Sequence, residues 1–178
     1  SSTHRTPRET VPGEDGEGTW LWLEMRLPVD VAIVGLPNSG KTSLLNALTG
    51  AGATVAPYPH TTKEPALGPL EDDTGEPHLV ADLPGLAADG TARRGAALGQ
   101  LENAKVVLHC LDAADPTPVD ARLALVREGI GPYLSNTARV VVVATKCDMA
   151  EAPPQAEFAT SAETGEGIAA LRDALLGW

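Results

Sequence analysis

Short β-branched runs alternate along this chain with longer stretches whose apolar residues recur every three to four positions. Val29–Val34, Val106–Leu111 and Val140–Ala144 are apolar at nearly every position, which predicts strands buried on both faces. Lys41–Leu48 carries Leu44, Leu45 and Leu48 on one face of a predicted helix. Asp120–Glu128 and Ile168–Leu176 predict two more helices. Ala66–Leu70 and His78–Ala81 flank the turn-rich Glu71-Asp72-Asp73-Thr74-Gly75, and this pair predicts a hairpin. Glu157–Thr160 predicts a short last strand. Ala51–Glu64 has Gly, Pro and Thr without a period and predicts a loop. Strands alternating with helices predict an α/β fold of three layers, a mostly parallel central sheet with helices on both faces. Ligands of such sheets bind at the carboxyl ends of the strands.

The chain before Val29 follows no such pattern. Residues 1–18 are rich in Pro, Gly, Thr and charge and predict a flexible tail or the remnant of an upstream element. Trp20–Leu27 is apolar and predicts a strand that Pro28 ends, so 19–28 is read as a strand or linker remnant. The domain proper is 29–178.

Gly35-Leu36-Pro37-Asn38-Ser39-Gly40-Lys41-Thr42 follows a predicted strand and opens a predicted helix, the setting that a phosphate-binding loop requires. Its four fixed positions arise by chance in roughly one chain of this length in a hundred. Glycines let the backbone curl so that its N–H groups point at phosphate oxygens, and the helix N-terminus adds positive potential. The candidate cradle runs from Asn38 through Ser39, Gly40, Lys41 and Thr42 to Ser43. Lys41 would neutralise the β- and γ-phosphates, and the Thr42 hydroxyl would ligate Mg²⁺.

Two further motifs stand at predicted strand ends. Asp82-Leu83-Pro84-Gly85 offers a carboxylate to Mg²⁺ and a Gly85 N–H to a γ-phosphate oxygen, because glycine permits close backbone approach. Thr145-Lys146-Cys147-Asp148 places a carboxylate where it can accept two hydrogen bonds from guanine, at the ring N–H and the exocyclic amino group. Adenine lacks that amino group and leaves the carboxylate unpaired. Lys146 would lay its aliphatic stem over the base. In Thr160-Ser161-Ala162 a backbone N–H, from Ser161 or Ala162, could meet the guanine carbonyl oxygen. The fold class is therefore a P-loop NTPase, and Asp148 selects GTP and GDP over ATP, against a kinase or ATPase reading.

Composition narrows the picture further. Aromatic residues are only 3% of the chain, so its core must be Val, Leu, Ile and Ala. The net charge of −11 would repel RNA, DNA and anionic lipid, so no direct nucleic-acid binding is expected. A local site with its own cation can still hold nucleotide. Cys110 and Cys147 form no CxxC pair, which fits reduced thiols and a cytoplasmic protein. Apolar runs reach only about eight residues, too short to span a bilayer, so no membrane is expected.

The order of these segments resembles the translation-factor-related class of small GTPases, and within it the Obg family, from about Gly16 to the C-terminus. Gly35 to Leu48 looks like that family's P-loop and first helix, and Val107-Leu108-His109-Cys110-Leu111-Asp112 like a later strand. Tyr58-Pro59-His60-Thr61-Thr62-Lys63-Glu64-Pro65 resembles its switch I, which usually reads Y-P-F-T-T-x-x-P. Asp82-Leu83-Pro84-Gly85-Leu86 resembles its switch II. Trp20 to Leu27 resembles the segment leading out of the family's Gly-rich N-terminal domain.

The resemblance implies a Ras-like G domain that hydrolyses GTP as a molecular switch, with Lys41, Thr62 and Gly85 as its catalytic set. Thr62, with Thr61 as the alternative, would close over the γ-phosphate and complete Mg²⁺ coordination with Thr42 and Asp82. Asn38 matches an asparagine that coordinates K⁺ in related GTPases; the alternative is a loop-stabilising Asn. Obg proteins act on the large ribosomal subunit, so the ribosome enters as a partner by analogy alone, beside an unidentified protein partner.

The chain departs from the pattern in four places. His60 replaces the usual Phe. Leu86, an apolar residue typical of the Obg-like group, stands where Ras-like proteins carry a water-orienting glutamine, which implies slow intrinsic hydrolysis or catalysis supplied by K⁺, a partner or another chain segment. Thr145 replaces the Asn of N-K-x-D, and its shorter side chain implies weaker nucleotide binding. Gly95–Ala104 is shorter than the family's switch II helix. Leu86 and this shortening support a second reading, a module that binds GTP or GDP and docks a partner without hydrolysis. The Gly-rich N-terminal domain is expected to be absent except for its last strand.

Overall fold

In the computed structural model, the described residues are 16, 18–21, 29–50, 53–55, 65–72, 75–83, 86–91, 98–151 and 154–178. Among the described residues seven strands form one sheet in the order β2-β3-β4-β1-β5-β6-β7. They are β1 (Val31–Gly35), β2 (Thr54–Val55), β3 (Ala66–Glu71), β4 (Pro77–Asp82), β5 (Val106–Asp112), β6 (Arg139–Thr145) and β7 (Phe158–Ala159). The helices are α1 (Lys41–Thr49), α2 (Val119–Ile130) and α3 (Ile168–Leu176). From β4 to β7 all neighbours are parallel, while β2–β3 and β3–β4 are antiparallel. The expected hairpin is the β3–β4 pair, in register from Ala66↔Asp82 to Glu71↔Pro77.

The near-continuous apolar runs are buried on both sides, as parallel strands between helices require. Val31 and Ile33 of β1 join Leu44, Leu45, Leu48, Leu171 and Leu175 beneath α1 and α3. Ala32 and Val34 face the other way, into a cluster with Val126 and Ile130 of α2 and with Leu98 and Leu101. This period-two split places α1 and α3 on one face and α2 on the other. Each fully buried Leu or Ile contributes about 1.5–3 kcal/mol.

Two expectations are corrected. The segment Ala51–Glu64 is not loop throughout, because Thr54–Val55 pairs with Leu67 and Ala66 at the sheet edge. The last strand contracts to Phe158–Ala159, where it pairs with Val143 and Ala144. Trp20 and Leu21 belong to no strand and are 97% and 76% exposed; residues 22–28 lie outside the described residues. So do nearly all of the expected tail 1–18 and all of the switch I segment except Pro65. Of the segment 95–104, Leu98–Glu102 forms a short 3-10 turn.

After β4 the chain packs onto α2 through two glycines. A Cβ on Gly129 would lie 2.3 Å from Gly90 O and about 3 Å from both terminal methyls of Leu86. Backbone and backbone touch there, and no larger residue fits at Gly129 without displacement.

Candidate functional site

The phosphate loop leaves the carboxyl end of β1, between β4 and β5. A Cβ on Gly35 would sit 2.6 Å from Ser39 Oγ and 2.7 Å from Cys110 O, so glycine is required by close approach. Asn38 (φ 61°) and Gly40 (φ 76°) both adopt left-handed backbone. Left-handed residues in a loop help turn backbone N–H groups toward one concavity. The Leu44 N–H donates to Gly40 O at 2.9 Å, so the loop runs straight into α1. Lys41 Nζ donates to Leu36 O at 2.8 Å, which lays the ammonium across the loop.

Asp82 ends β4 in register with Ile33 of β1. The Thr42 hydroxyl donates to Asp82 Oδ2, so the two expected Mg²⁺ ligands meet directly. Burial raises the Asp82 pKa, against the Thr42 hydrogen bond and the Lys41 charge. A carboxylate that burial disfavours, touching a hydroxyl, forms a hard-oxygen pair suited to Mg²⁺. Among the described residues no group of three His, Cys, Asp or Glu gathers as a metal site. Mg²⁺, which keeps few protein ligands, would draw the others from phosphate and water.

The base-reading segment lies across α1. Gly40, Ser43, Thr145, Lys146, Asp148 and Ala162 line a cavity of about 650 Å³. Lys146 takes left-handed backbone (φ 56°), and its Nζ meets Asp112 Oδ2 at 2.6 Å. The other Asp112 carboxylate oxygen accepts the Ala114 N–H at 2.9 Å. Asp112 O accepts Arg122 Nη1 of α2 at 2.6 Å, and Arg122 is only 3% exposed. The Lys146 stem is thus held from its head group. Neither Asp112 nor Arg122 was identified from sequence. An acid ending a buried strand beside the strand that leads into Lys146 was the available signal.

Thr145 is buried, and its hydroxyl lies 2.9 Å from Ser39 O and 3.1 Å from Leu111 O. It therefore braces the phosphate loop despite being shorter than Asn. Ser161 has a structural part: its N–H donates to Glu166 O at 3.0 Å and its Oγ accepts the Thr164 N–H at 3.1 Å. Ala162 lines the cavity. Cys147 is partly buried beside this segment, while burial pushes the Cys110 thiol up to about 12.

Thr62 and Gly85 lie outside the described residues, as do His60 and Thr61. Leu86 is buried in the cluster under α2, against Gly129. Its side chain serves packing and does not face the cavity.

A phosphate loop at the centre of a parallel sheet, with a hydroxyl–carboxylate pair on one side and a lysine–aspartate segment on the other, defines a P-loop GTPase domain. Residues 30–146 match the family described as "50S ribosome-binding GTPase". GTPase Obg of Erythrobacter litoralis is 36% identical over 196 residues, covering 100% of this chain and 55% of that protein. GTPase Obg of Desulfatibacillum aliphaticivorans is 41% identical over 160 residues, covering 85% of this chain and 47% of that protein. The chain spans about half the length of these relatives. The G domain of the T. maritima FeoB iron transporter superposes with a TM-score of 0.65 at 29% identity, over 84% of this chain and 97% of that one. The chain belongs to the 50S ribosome-binding GTPase family and carries the GTPase domain of its Obg members.

Proposed function

We propose that this domain binds GTP and GDP with Mg²⁺ and hydrolyses GTP slowly to GDP and phosphate, as a molecular switch. One observation carries the reading. The Thr145 hydroxyl joins the phosphate loop at Ser39 O to the strand that presents Lys146 and Asp148. Phosphate and base subsites are thereby parts of one braced unit.

Lys41 and the loop N–H groups would hold the phosphates, so binding aligns the γ-phosphate for attack by water, with cleavage of its bond to the β-phosphate oxygen. Thr42 and Asp82 would hold Mg²⁺, which supplies neutralisation of the charge that develops on the phosphate oxygens. Thr62 and Gly85 are assigned to γ-phosphate sensing by their motifs. Asn38 is exposed on the loop, and its amide oxygen is a hard donor suited to K⁺. Asp148 lines the cavity as the guanine-reading carboxylate, with Ala162 at the carbonyl oxygen.

Phosphate release measured with Mg²⁺ in KCl and in NaCl tests this reading. Turnover that is faster in KCl supports hydrolysis with K⁺ at Asn38; equal turnover removes K⁺ from the proposal. No turnover in either salt, with GDP still bound, favours the second reading, a nucleotide-responsive module that docks a protein partner. The burial of Leu86 away from the cavity is the observation in that reading's favour. A cytoplasmic setting and a ribosomal partner are carried by the family resemblance. Among the described residues no helix is long and apolar enough to cross a membrane.

A further inference from the structure

We infer that this site reads guanine at its pairing edge and carbonyl oxygen and leaves the ring nitrogen N7 unread. The inference rests on the guanine-nucleotide reading above. Guanine offers O6 and N7 as acceptors on one edge, so recognition of N7 requires a donor. On the wall formed by β6 and the segment after β7, the hydroxyls of Thr145 and Thr160 and the Lys146 ammonium are already engaged. The Thr145 hydroxyl has one hydrogen, and two carbonyls, Ser39 O at 2.9 Å and Leu111 O at 3.1 Å, compete for it. The Thr160 hydroxyl donates to Ala144 O at 2.9 Å. Both residues are almost fully buried, 4% and 1% exposed, and cannot turn outward freely. The Lys146 ammonium is anchored on Asp112 at the end of β5. Facing them is α1, which contributes Ser43 and Asn46 to the cavity.

The threonine therefore does one task. It ties the phosphate loop to β5 and β6, and it contributes no base contact. Discrimination against adenine falls to Asp148 and the Ala162 N–H. An Asn at this position has two amide hydrogens. It can hold Ser39 O with one and reach the base with the other.

The test is competition binding to the whole chain with GDP, ADP and 7-deaza-GDP, in which a C–H replaces N7. The analogue is expected to bind within about twofold of GDP, whereas loss of a hydrogen bond to N7 would cost about tenfold. Thr145→Asn is expected to introduce a several-fold penalty against the analogue alone. Thr145→Val removes the brace and should weaken GDP and the analogue equally, and Thr145→Ser should restore both. A penalty of about tenfold in the unaltered chain overturns the inference. If that penalty then vanishes in Asn46→Ala, the donor is on α1. Thr145→Asn that binds both ligands alike overturns the role given to position 145. ADP binding as tightly as GDP would sink the guanine reading itself, and the same titration separates that failure from the others.

Discussion

His109 makes the stability of this domain fall in mild acid, and the size of the effect follows from its surroundings. The residue is in the middle of β5, fully buried, with neither ring nitrogen hydrogen-bonded. Burial, then the charges of Arg127 and Arg122, lower its pKa from 6.5 to about 4. The folded chain therefore keeps the imidazole neutral where the unfolded chain, with the ordinary value, begins to take up a proton. Between those two values the unfolded state binds more protons, so stability decreases as pH falls through the window. The full contribution is present above pH 6.5 and is gone below about pH 4. At 1.36 kcal/mol per pH unit the loss across the window is about 3 kcal/mol, a large share of the ~5–15 kcal/mol typical of a domain. Urea unfolding at pH 7.5, 5.5 and 4.5, on the unaltered chain and on His109→Leu, measures it. Asp82, with a raised pKa, acts in the opposite direction, but it is common to both proteins and cancels in the difference. The expected result is a wild-type loss exceeding that of His109→Leu by about four-fifths of that amount at the lowest pH. Parallel losses in the two proteins would refute the argument.

The remaining predictions address the site and its supports. Asp112→Asn should weaken GDP binding by about three- to tenfold by calorimetry, because the Lys146 head group loses a charge partner in a partly exposed pair; unchanged affinity would show that Lys146 needs no anchor. Asp82→Asn should reduce the enhancement of GTP binding by Mg²⁺ by about tenfold or more, read from titrations with Mg²⁺ and with EDTA; an intact Mg²⁺ effect would remove Asp82 from the metal site. Gly129→Ala should cost about 1–3 kcal/mol, through the 2.3 Å approach of the new Cβ to Gly90 O. An unchanged melting temperature would show that the contact yields freely.

Elements that bury a regular apolar pattern were legible. Leu44, Leu45 and Leu48 were read onto one face, and all three are buried. The strands ending at Gly35, Asp112 and Thr145 were found because both of their faces are covered, so nearly every position is apolar. What escaped depends on partners distant in sequence. Thr54–Val55 is too short for any period and is a strand only because Leu67 and Ala66 pair with it. Arg122 lies in a correctly predicted helix, but a charged residue reads as solvent-facing; a carbonyl ten positions earlier draws it inside. The motifs singled out Lys41, Thr42, Asp82 and Asp148, and the structure brings the Thr42 hydroxyl onto Asp82. They could not show that the Ser161 N–H is engaged by Glu166, or that Thr145 braces two carbonyls. Those facts are set by loop closure, which leaves no periodic trace in sequence.

The strand order has a consequence for how such a domain could change state. β1 lies between two unlike halves of the sheet. Toward β7 every pairing is parallel, and there the register carries Asp112, Thr145 and the Ala162 loop as one block. Toward β2 the β1–β4 pairing is parallel but β4–β3 and β3–β2 are antiparallel, and that half carries Asp82 and leads into the segments with Thr62 and Gly85. The nucleotide would thus straddle a seam, with its identity judged on one side and its third phosphate on the other. A rearrangement of the β2–β4 side on loss of that phosphate need not loosen the hold on the base. GDP could then stay bound as a timer of the spent state, with its departure left to a separate event.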